Sequence, residues 1–310
     1  MEQQPSKLSV IGSNPIAITL RYPRRVSPVC CCTLTTGSGS GAGGSASGLG
    51  PEGRRFESCL PDSFIIFIIK TQRYVKPTNR SCWKKFNGAI LRSEPFPHLV
   101  FDNFLDETVA RDAAYELKWL NDNFQEEEWR FKVADHHEDQ VLKRSITQLG
   151  NMLPTTRLIS QYVNNTEFLA FLRDMTAMPR LEGDWQFEGG GVHITPKGGS
   201  LNIHHDFNFL GPLEAPTSYR KVNLLIYLNE EWDPNWGGNL ELWEKDLSSV
   251  KHIIEPKFNR AVIFNIEDAP HGHPHPLECP EGESRRSLAY YFYDDVPFEG
   301  DLKARAFGKK

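Results

Sequence analysis

The order of apolar and polar residues predicts helices first and strands afterwards. Residues 95–105 alternate in the manner of a strand, and apolar side chains then recur at helical intervals over 106–120. Asp106 stands immediately before this period, where a helix cap is expected. The apolar positions of the first helix are Val109, Ala113, Leu117 and Leu120. A second helical period runs over about 155–176.

From residue 185 onward the pattern changes to short apolar runs separated by Gly, Pro and Asn turns, which is typical of strands. The clearest runs are 222–228, 239–243, 260–264 and 287–293. Helices followed by about eight strands predict an α+β fold. We expect a double-stranded β-helix, or jelly roll, with N-terminal supporting helices.

The first 85 residues have a different composition from the rest. They carry 12 Lys and Arg against 4 Asp and Glu, whereas residues 86–310 carry 23 against 36. Residues 36–48 consist almost entirely of Gly, Ser, Ala and Thr, which cannot bury a core. We therefore predict a low-complexity, disordered region over 1–85, a folded domain over 90–297 and a polar tail over 298–310.

The origin of this first region is open. Residues 50–62 resemble the conceptual translation of a transfer-RNA gene, so we expect roughly the first 80 residues to reflect a start placed too far upstream. The alternative is a genuine disordered basic arm. The apolar run 64–69 is too short to span a bilayer, and we expect no membrane partner and no nucleic-acid partner. Beyond residue 85 only Cys279 remains, which favours a reduced, cytoplasmic protein.

The run His204-His205-Asp206 is the main candidate for chemistry. If 204–206 is a strand, successive side chains alternate, so His204 and Asp206 share a face and His205 points away. A third ligand is expected from 268–277, which contains the candidates His271, His273 and His275. Two histidines and one carboxylate leave three positions of an octahedron open, as in non-haem Fe(II) sites that activate O₂. A hydrogen-bonded His–Asp pair without metal is the simpler alternative.

Several motifs occur together with this run in a characteristic order. They are His-His-Asp (204–206), Leu-Leu-Ile-Tyr-Leu-Asn (224–229), Trp-Gly-Gly-Asn-Leu-Glu-Leu-Trp (236–243), His271 and Arg-Arg-Ser-Leu (285–288). Their combination resembles the 2-oxoglutarate and Fe(II)-dependent dioxygenases, in the prolyl 4-hydroxylase-like branch. The resemblance covers about residues 95–296. Residues 95–105 are similar to the entry strand of the same branch.

The resemblance implies a role for each matching residue. His204, Asp206 and His271 match the iron ligands, although His273 stays open as an alternative to His271. Arg285 matches the residue that binds the distal carboxylate of 2-oxoglutarate, and it is preferred to Arg286 because it shares a strand face with Ser287. Further cosubstrate-binding positions are Ser287, Tyr227 and Leu240. Thr195 departs from the branch, in which many members have a tyrosine.

The resemblance also implies the reaction and its cofactors. These are Fe(II), 2-oxoglutarate as cosubstrate, O₂, and ascorbate as reductant. The reaction expected is hydroxylation of an unactivated C–H of a prolyl residue in a peptide or of a proline-like small molecule, with succinate and CO₂ as coproducts. The alternatives are a cupin-like metal-binding protein without oxygenase activity and a zinc hydrolase that uses the same ligands. The oligomeric state stays open.

Overall fold

The computed structural model describes residues 89–136, 140–298 and 302. The predictions for residues 1–85, and for the tail beyond 298 apart from residue 302, therefore lie outside the described residues. In the part that is described, no helix is long and apolar enough to cross a membrane.

Helices occupy the N-terminal half of the described chain. They are α1 (Glu107–Asp122), α2 (Phe124–Glu127), α3 (Pro154–Val163) and α4 (Thr166–Thr176). The predicted helix over 155–176 is thus two helices. The break lies at Asn164 and Asn165, because the Asn165 side chain accepts a hydrogen bond from the Phe168 N–H (2.8 Å) and caps a new helix.

The strands form one curled antiparallel sheet, and this confirms the predicted jelly-roll core. The strands are β1 (Ala89–Arg92), β2 (His98–Phe101), β3 (Lys132–His136), β4 (Gln140–Ile146), β5 (Glu182–Gly183), β6 (Gly191–Pro196), β7 (Ser200–His204), β8 (Phe209–Leu210), β9 (Ser218–Tyr227), β10 (Leu240–Trp243), β11 (Val250–Ile254), β12 (Arg260–Asn265), β13 (His271–His273) and β14 (Ser284–Asp294). Their order is β1-β2-β12-β9-β14-β6-β4-β7-β13-β10-β11, with β3 on β4, β5 on β14 and β8 on β9.

The central strands β9 and β14 are buried on both faces. Val222, Leu224 and Ile226 of β9 pack with Leu288, Tyr290 and Phe292 of β14 in the core beneath the helices. The alternate positions, among them Asn223, Tyr227 and Ser287, face the inside of the roll. A strand that is covered on both sides is largely apolar, which is why the apolar runs 222–228 and 287–293 predicted these two strands well.

One buried carboxylate joins two helices. Glu116 of α1 accepts hydrogen bonds from the backbone N–H groups of Thr155 (2.6 Å) and Thr156 (2.8 Å) at the start of α3. These two groups have no partner within their own helix. Burial raises the pKa of Glu116, and these two hydrogen bonds act against that rise. The pair α1–α3 is thereby fixed against the outer face of the sheet.

One hairpin was missed, and one strand prediction was wrong in extent. The hairpin β3–β4 was not predicted, and the strand that carries the histidine pair ends at His204 instead of continuing to Asp206. Asp206 therefore lies in an irregular segment. Its direction is set by side-chain contacts and not by alternation along a strand.

The cap of α1 gives a modest stability prediction. Asp106 accepts a hydrogen bond from the Thr108 N–H (2.9 Å), which satisfies one N–H group that has no partner within the helix. Asp106→Ala should lower the free energy of unfolding by about 1 kcal/mol. Urea denaturation measures this change, and Glu214→Ala, an exposed carboxylate in a loop, is the control. Equal stability of the two variants would contradict the role of the cap.

Candidate metal and cosubstrate site

A cavity of about 370 Å³ opens inside the roll. It brings together six of the seven side chains that the sequence singled out, which are His204, Asp206, His271, Arg285, Ser287 and Leu240. The seventh, Tyr227, is fully buried and packs with Leu240 behind the cavity wall. Residues more than 80 positions apart in the chain thus meet in one place.

His204, Asp206 and His271 form a cluster whose ligand atoms all lie within 4.8 Å of one another. His204 and His271 are directly opposed in the pairing of β7 with β13, with ring centroids 4.7 Å apart. The Nε2 atom of His204 lies 3.6 Å from Asp206 Oδ1, and the Nε2 atom of His271 lies 3.6 Å from Asp206 Oδ2. The three side chains converge as metal ligands must.

Both imidazoles are held in the form that binds a metal. Nδ1 of His204 lies 2.9 Å from the carbonyl oxygen of Asn202, and Nδ1 of His271 lies 2.9 Å from that of Ala269. A carbonyl only accepts, so Nδ1 carries a proton and donates, and in the neutral ring this leaves the Nε2 lone pair facing the cluster. Two imidazoles and one carboxylate fit Fe(II), and the identity of the ligands stays a prediction from the sequence.

Two side chains of β9 donate hydrogen bonds to Asp206, and neither contact was predicted from the sequence. Its Oδ2 atom accepts hydrogen bonds from Arg220 Nη2 (2.8 Å) and Asn223 Nδ2 (2.7 Å). Burial alone would raise the pKa of Asp206, but the charge of Arg220 and the neighbouring imidazoles of His271 and His204 hold that pKa well below its usual range. The carboxylate is therefore ionised and oriented.

The remaining histidines of the two motifs have different positions. His273 is buried and lines the cavity, but it lies outside the cluster. His275 has a side chain that is 81% exposed and lies near Glu241. His205 lines the cavity too, so its predicted position on the opposite face is wrong; the strand ends at His204, and alternation does not extend to residue 205.

Arg285 lies at the cavity wall with its guanidinium fixed by two neighbours. Nε donates to the carbonyl oxygen of Gly238 (2.7 Å), and Nη2 donates to the Tyr227 hydroxyl (3.2 Å). Gly238 has φ +70°, and a Cβ there would lie 2.7 Å from Leu277 and 3.0 Å from Arg285. Only glycine permits this approach. The Trp-Gly-Gly motif thus helps to position the arginine.

The residues next to Arg285 face either the cavity or the helices, as strand alternation predicts. Ser287 follows on the same face and lines the cavity, and Thr195 of the paired strand β6 also lines it. Arg286 falls in phase with Leu288, which faces the helices, and its guanidinium lies 3.6 Å from Glu283. The site therefore presents one arginine, Arg285, from this dipeptide.

Three buried histidines should make the metal-free protein sensitive to acid. Burial lowers the pKa of His271 to about 4, and burial also holds the pKa values of His193 and His273 well below the usual range. The unfolded chain protonates these groups near pH 6.5, whereas the folded chain does so only at much lower pH. Stability at neutral pH is therefore lost as pH falls from about 6.5 towards 4.

Urea midpoints measured at several pH values in that window test this prediction. His273→Asn should flatten the dependence on pH, and His275→Asn, at an exposed position, should leave it unchanged. A midpoint that stays constant or rises on acidification would contradict the predicted sign.

Comparison with known proteins agrees with this geometry. Residues 189–293 match the family model described as the 2OG-Fe(II) oxygenase superfamily. The chain is 24% identical over 217 residues to prolyl 3,4-dihydroxylase OGFOD1 of Ostreococcus tauri. That match covers 67% of this chain, and the chain spans only 40% of the length of this curated relative.

Two solved structures with a similar fold are a hydroxylase and a protein with 2-oxoglutarate bound. A prolyl-4-hydroxylase of Pseudomonas putida is 20% identical, with 64% of this chain and 92% of that chain covered and a TM-score of 0.45. HygX of Streptomyces hygroscopicus, with nickel, 2-oxoglutarate and hygromycin B bound, is 14% identical, with 64% and 83% covered and a TM-score of 0.41.

The family match spans both histidines, Asp206 and Arg285, and the strand order is that of a jelly roll. Fe(II) and 2-oxoglutarate are the cofactors of this superfamily, and the donor set in the cavity suits them. Residues 189–293 therefore resemble a 2OG-Fe(II) oxygenase domain, both in the match to the family model and in the donor set of the cavity.

Proposed function

We propose that this protein is a 2-oxoglutarate and Fe(II)-dependent dioxygenase that hydroxylates an unactivated C–H bond, with succinate and CO₂ as coproducts. The observation that carries the proposal is the meeting, in one cavity, of the His204–Asp206–His271 cluster with a buried arginine. A cluster of three metal-ligating side chains alone is compatible with many reactions. An arginine fixed in the same cavity adds a group that recognises a carboxylate.

Each side chain has a distinct task in this proposal. His204, Asp206 and His271 would hold Fe(II), each histidine through its Nε2 atom and Asp206 through its carboxylate. Bound iron and 2-oxoglutarate together supply the oxidation of the C–H bond by O₂, and ascorbate keeps the metal reduced. The protein supplies orientation and a cavity from which water is excluded.

The far carboxylate of 2-oxoglutarate is assigned to Arg285, whose charge is buried and whose Nη2 is held by the Tyr227 hydroxyl. Burial raises the pKa of Tyr227, so the phenol stays neutral, and its contribution to 2-oxoglutarate binding is to hold Arg285 in place. Ser287 lies on the same face of β14 and offers a further hydroxyl. Leu240 forms an apolar wall beside them.

The substrate that we propose is a prolyl residue of a peptide or a proline-like small molecule. The name of the Ostreococcus tauri relative, a prolyl 3,4-dihydroxylase, supports this choice. We further propose a cytoplasmic location, because a single cysteine remains in residues 86–310 and favours a reduced compartment.

The test is Fe(II)-dependent binding and turnover of 2-oxoglutarate by the purified protein. We expect binding under anaerobic conditions and succinate release only when O₂ is admitted. Uncoupled turnover without substrate can be slow, so absence of Fe(II)-dependent 2-oxoglutarate binding is the result that would overturn the proposal. Metal binding without 2-oxoglutarate binding would instead favour a cupin-like protein or a zinc hydrolase.

A further inference from the structure

The side chains that grip Asp206 reach it because β9 contains a bulge. In the pairing with β14, Phe292 is opposite Val222 but Tyr293 is opposite Arg220, so Lys221 is one residue extra. By strict alternation Arg220 would share a face with Val222, under the helices. The bulge turns Arg220 to the same side as Asn223, and both side chains face the cavity.

The two contacts from β9 fall on one oxygen of the carboxylate. Arg220 Nη2 and Asn223 Nδ2 both donate to Asp206 Oδ2, at 2.8 and 2.7 Å, which uses both lone pairs of that atom. Each carboxylate oxygen lies 3.6 Å from one imidazole, Oδ1 from His204 Nε2 and Oδ2 from His271 Nε2, but only Oδ2 has its lone pairs taken by these two donors. Oδ1 is therefore the atom that is free to bind a metal.

We propose that Arg220 and Asn223 are positioning residues that restrict Asp206 to coordination through a single oxygen. The inference rests on the proposed Fe(II) site. A carboxylate that binds through both oxygens would occupy a fourth coordination position. 2-Oxoglutarate would need two of the three remaining positions and O₂ the last. Coordination of Asp206 through a single oxygen would therefore leave room for both.

Arg220 is itself held rigidly enough to impose this restriction. Its Nε donates to Asn223 Oδ1 at 2.9 Å, so the two side chains act as one unit. The guanidinium carbon lies 3.3 Å from the centroid of the Tyr291 ring and 4.7 Å from that of Phe207. The side chain is 1% exposed. A buried cation stacked on aromatic rings has little freedom to follow a moving carboxylate.

The experiment counts the water molecules on Mn(II) bound at the site, by pulsed EPR in deuterated water, without any need for turnover. Wild type should hold about three waters, and about one after 2-oxoglutarate is added. Asn223→Leu and Arg220→Met should each hold about one water fewer in both states. Asn223→Leu keeps the branched shape of the asparagine side chain and removes both polar atoms, so it serves where Arg220→Met does not fold.

Asn164→Leu is the matched control, because Asn164 is a buried asparagine that directly follows α3, and its amide donates to the carbonyl oxygen of Ser160, away from the cavity. It should keep the wild-type water counts. Wild-type counts in the folded Asn223 and Arg220 variants would overturn the inference while leaving the proposed function intact. Failure of the wild type to bind Mn(II), or to release water on adding 2-oxoglutarate, would overturn both.

Discussion

His204→Ala is expected to abolish Fe(II) binding, whereas His205→Ala should leave it largely intact. The reason is the direction of the two rings. Nδ1 of His204 is committed to the carbonyl oxygen of Asn202, and its Nε2 faces Asp206 and His271. His205 lines the cavity but lies outside the cluster. Loss of a ligand should exceed the roughly 10- to 100-fold loss of affinity that follows removal of an outer partner.

Fe(II) titration under anaerobic conditions measures this difference, with circular dichroism to confirm that both variants fold. His275→Ala is a further control, because that side chain is exposed and away from the cavity. If His205→Ala were the variant that lost the metal, the ligand set would have to be reassigned. If neither variant lost it, the metal would bind elsewhere.

Arg285→Ala should weaken 2-oxoglutarate binding by about 1.5–3 kcal/mol, because a hydrogen bond to a charged partner is lost from a buried site. This corresponds to roughly a 10- to 150-fold higher dissociation constant. Arg286→Ala should change that constant little, since Arg286 does not line the cavity and lies beside Glu283.

The two variants form a matched pair, since both residues are buried arginines on β14. Isothermal titration with 2-oxoglutarate and the Fe(II) or Mn(II) protein gives the constant for each. Arg285→Lys should recover only part of the affinity, because an ammonium lacks the planar fork of a guanidinium. An unchanged constant for Arg285→Ala together with a raised one for Arg286→Ala would transfer the role to Arg286.

The central fold was predictable because burial on both faces leaves a clear pattern. Residues 222–228 and 287–293 are almost continuously apolar, and they are β9 and β14 in the structure. The hairpin β3–β4 was not predictable in this way. Its strands read Lys-Val-Ala-Asp-His and Gln-Val-Leu-Lys-Arg-Ser-Ile, in which charged residues interrupt any alternation.

Site residues on regular strands were likewise predictable, and those at irregular positions were not. The resemblance singled out Arg285 and Ser287, alternation on a regular strand favoured Arg285 over Arg286, and the structure places Arg285 and Ser287 at the cavity. Arg220 could not be found by that reasoning, because a single extra residue reverses its face. A charged residue beside a strongly apolar run was the only signal available, and it does not reveal which way the side chain turns.

Because β9 and β14 are buried on both faces, solvent should reach their backbone only when the whole domain unfolds. Both strands lie in the middle of the sheet, with the helices on one face and the site on the other. Their amide hydrogens should exchange with solvent only through global unfolding, while β1 and β11 at the edges exchange through local fraying. Ligands that bind only the native state should therefore slow amide-hydrogen exchange most in these two strands, even at amides that are distant from the metal site.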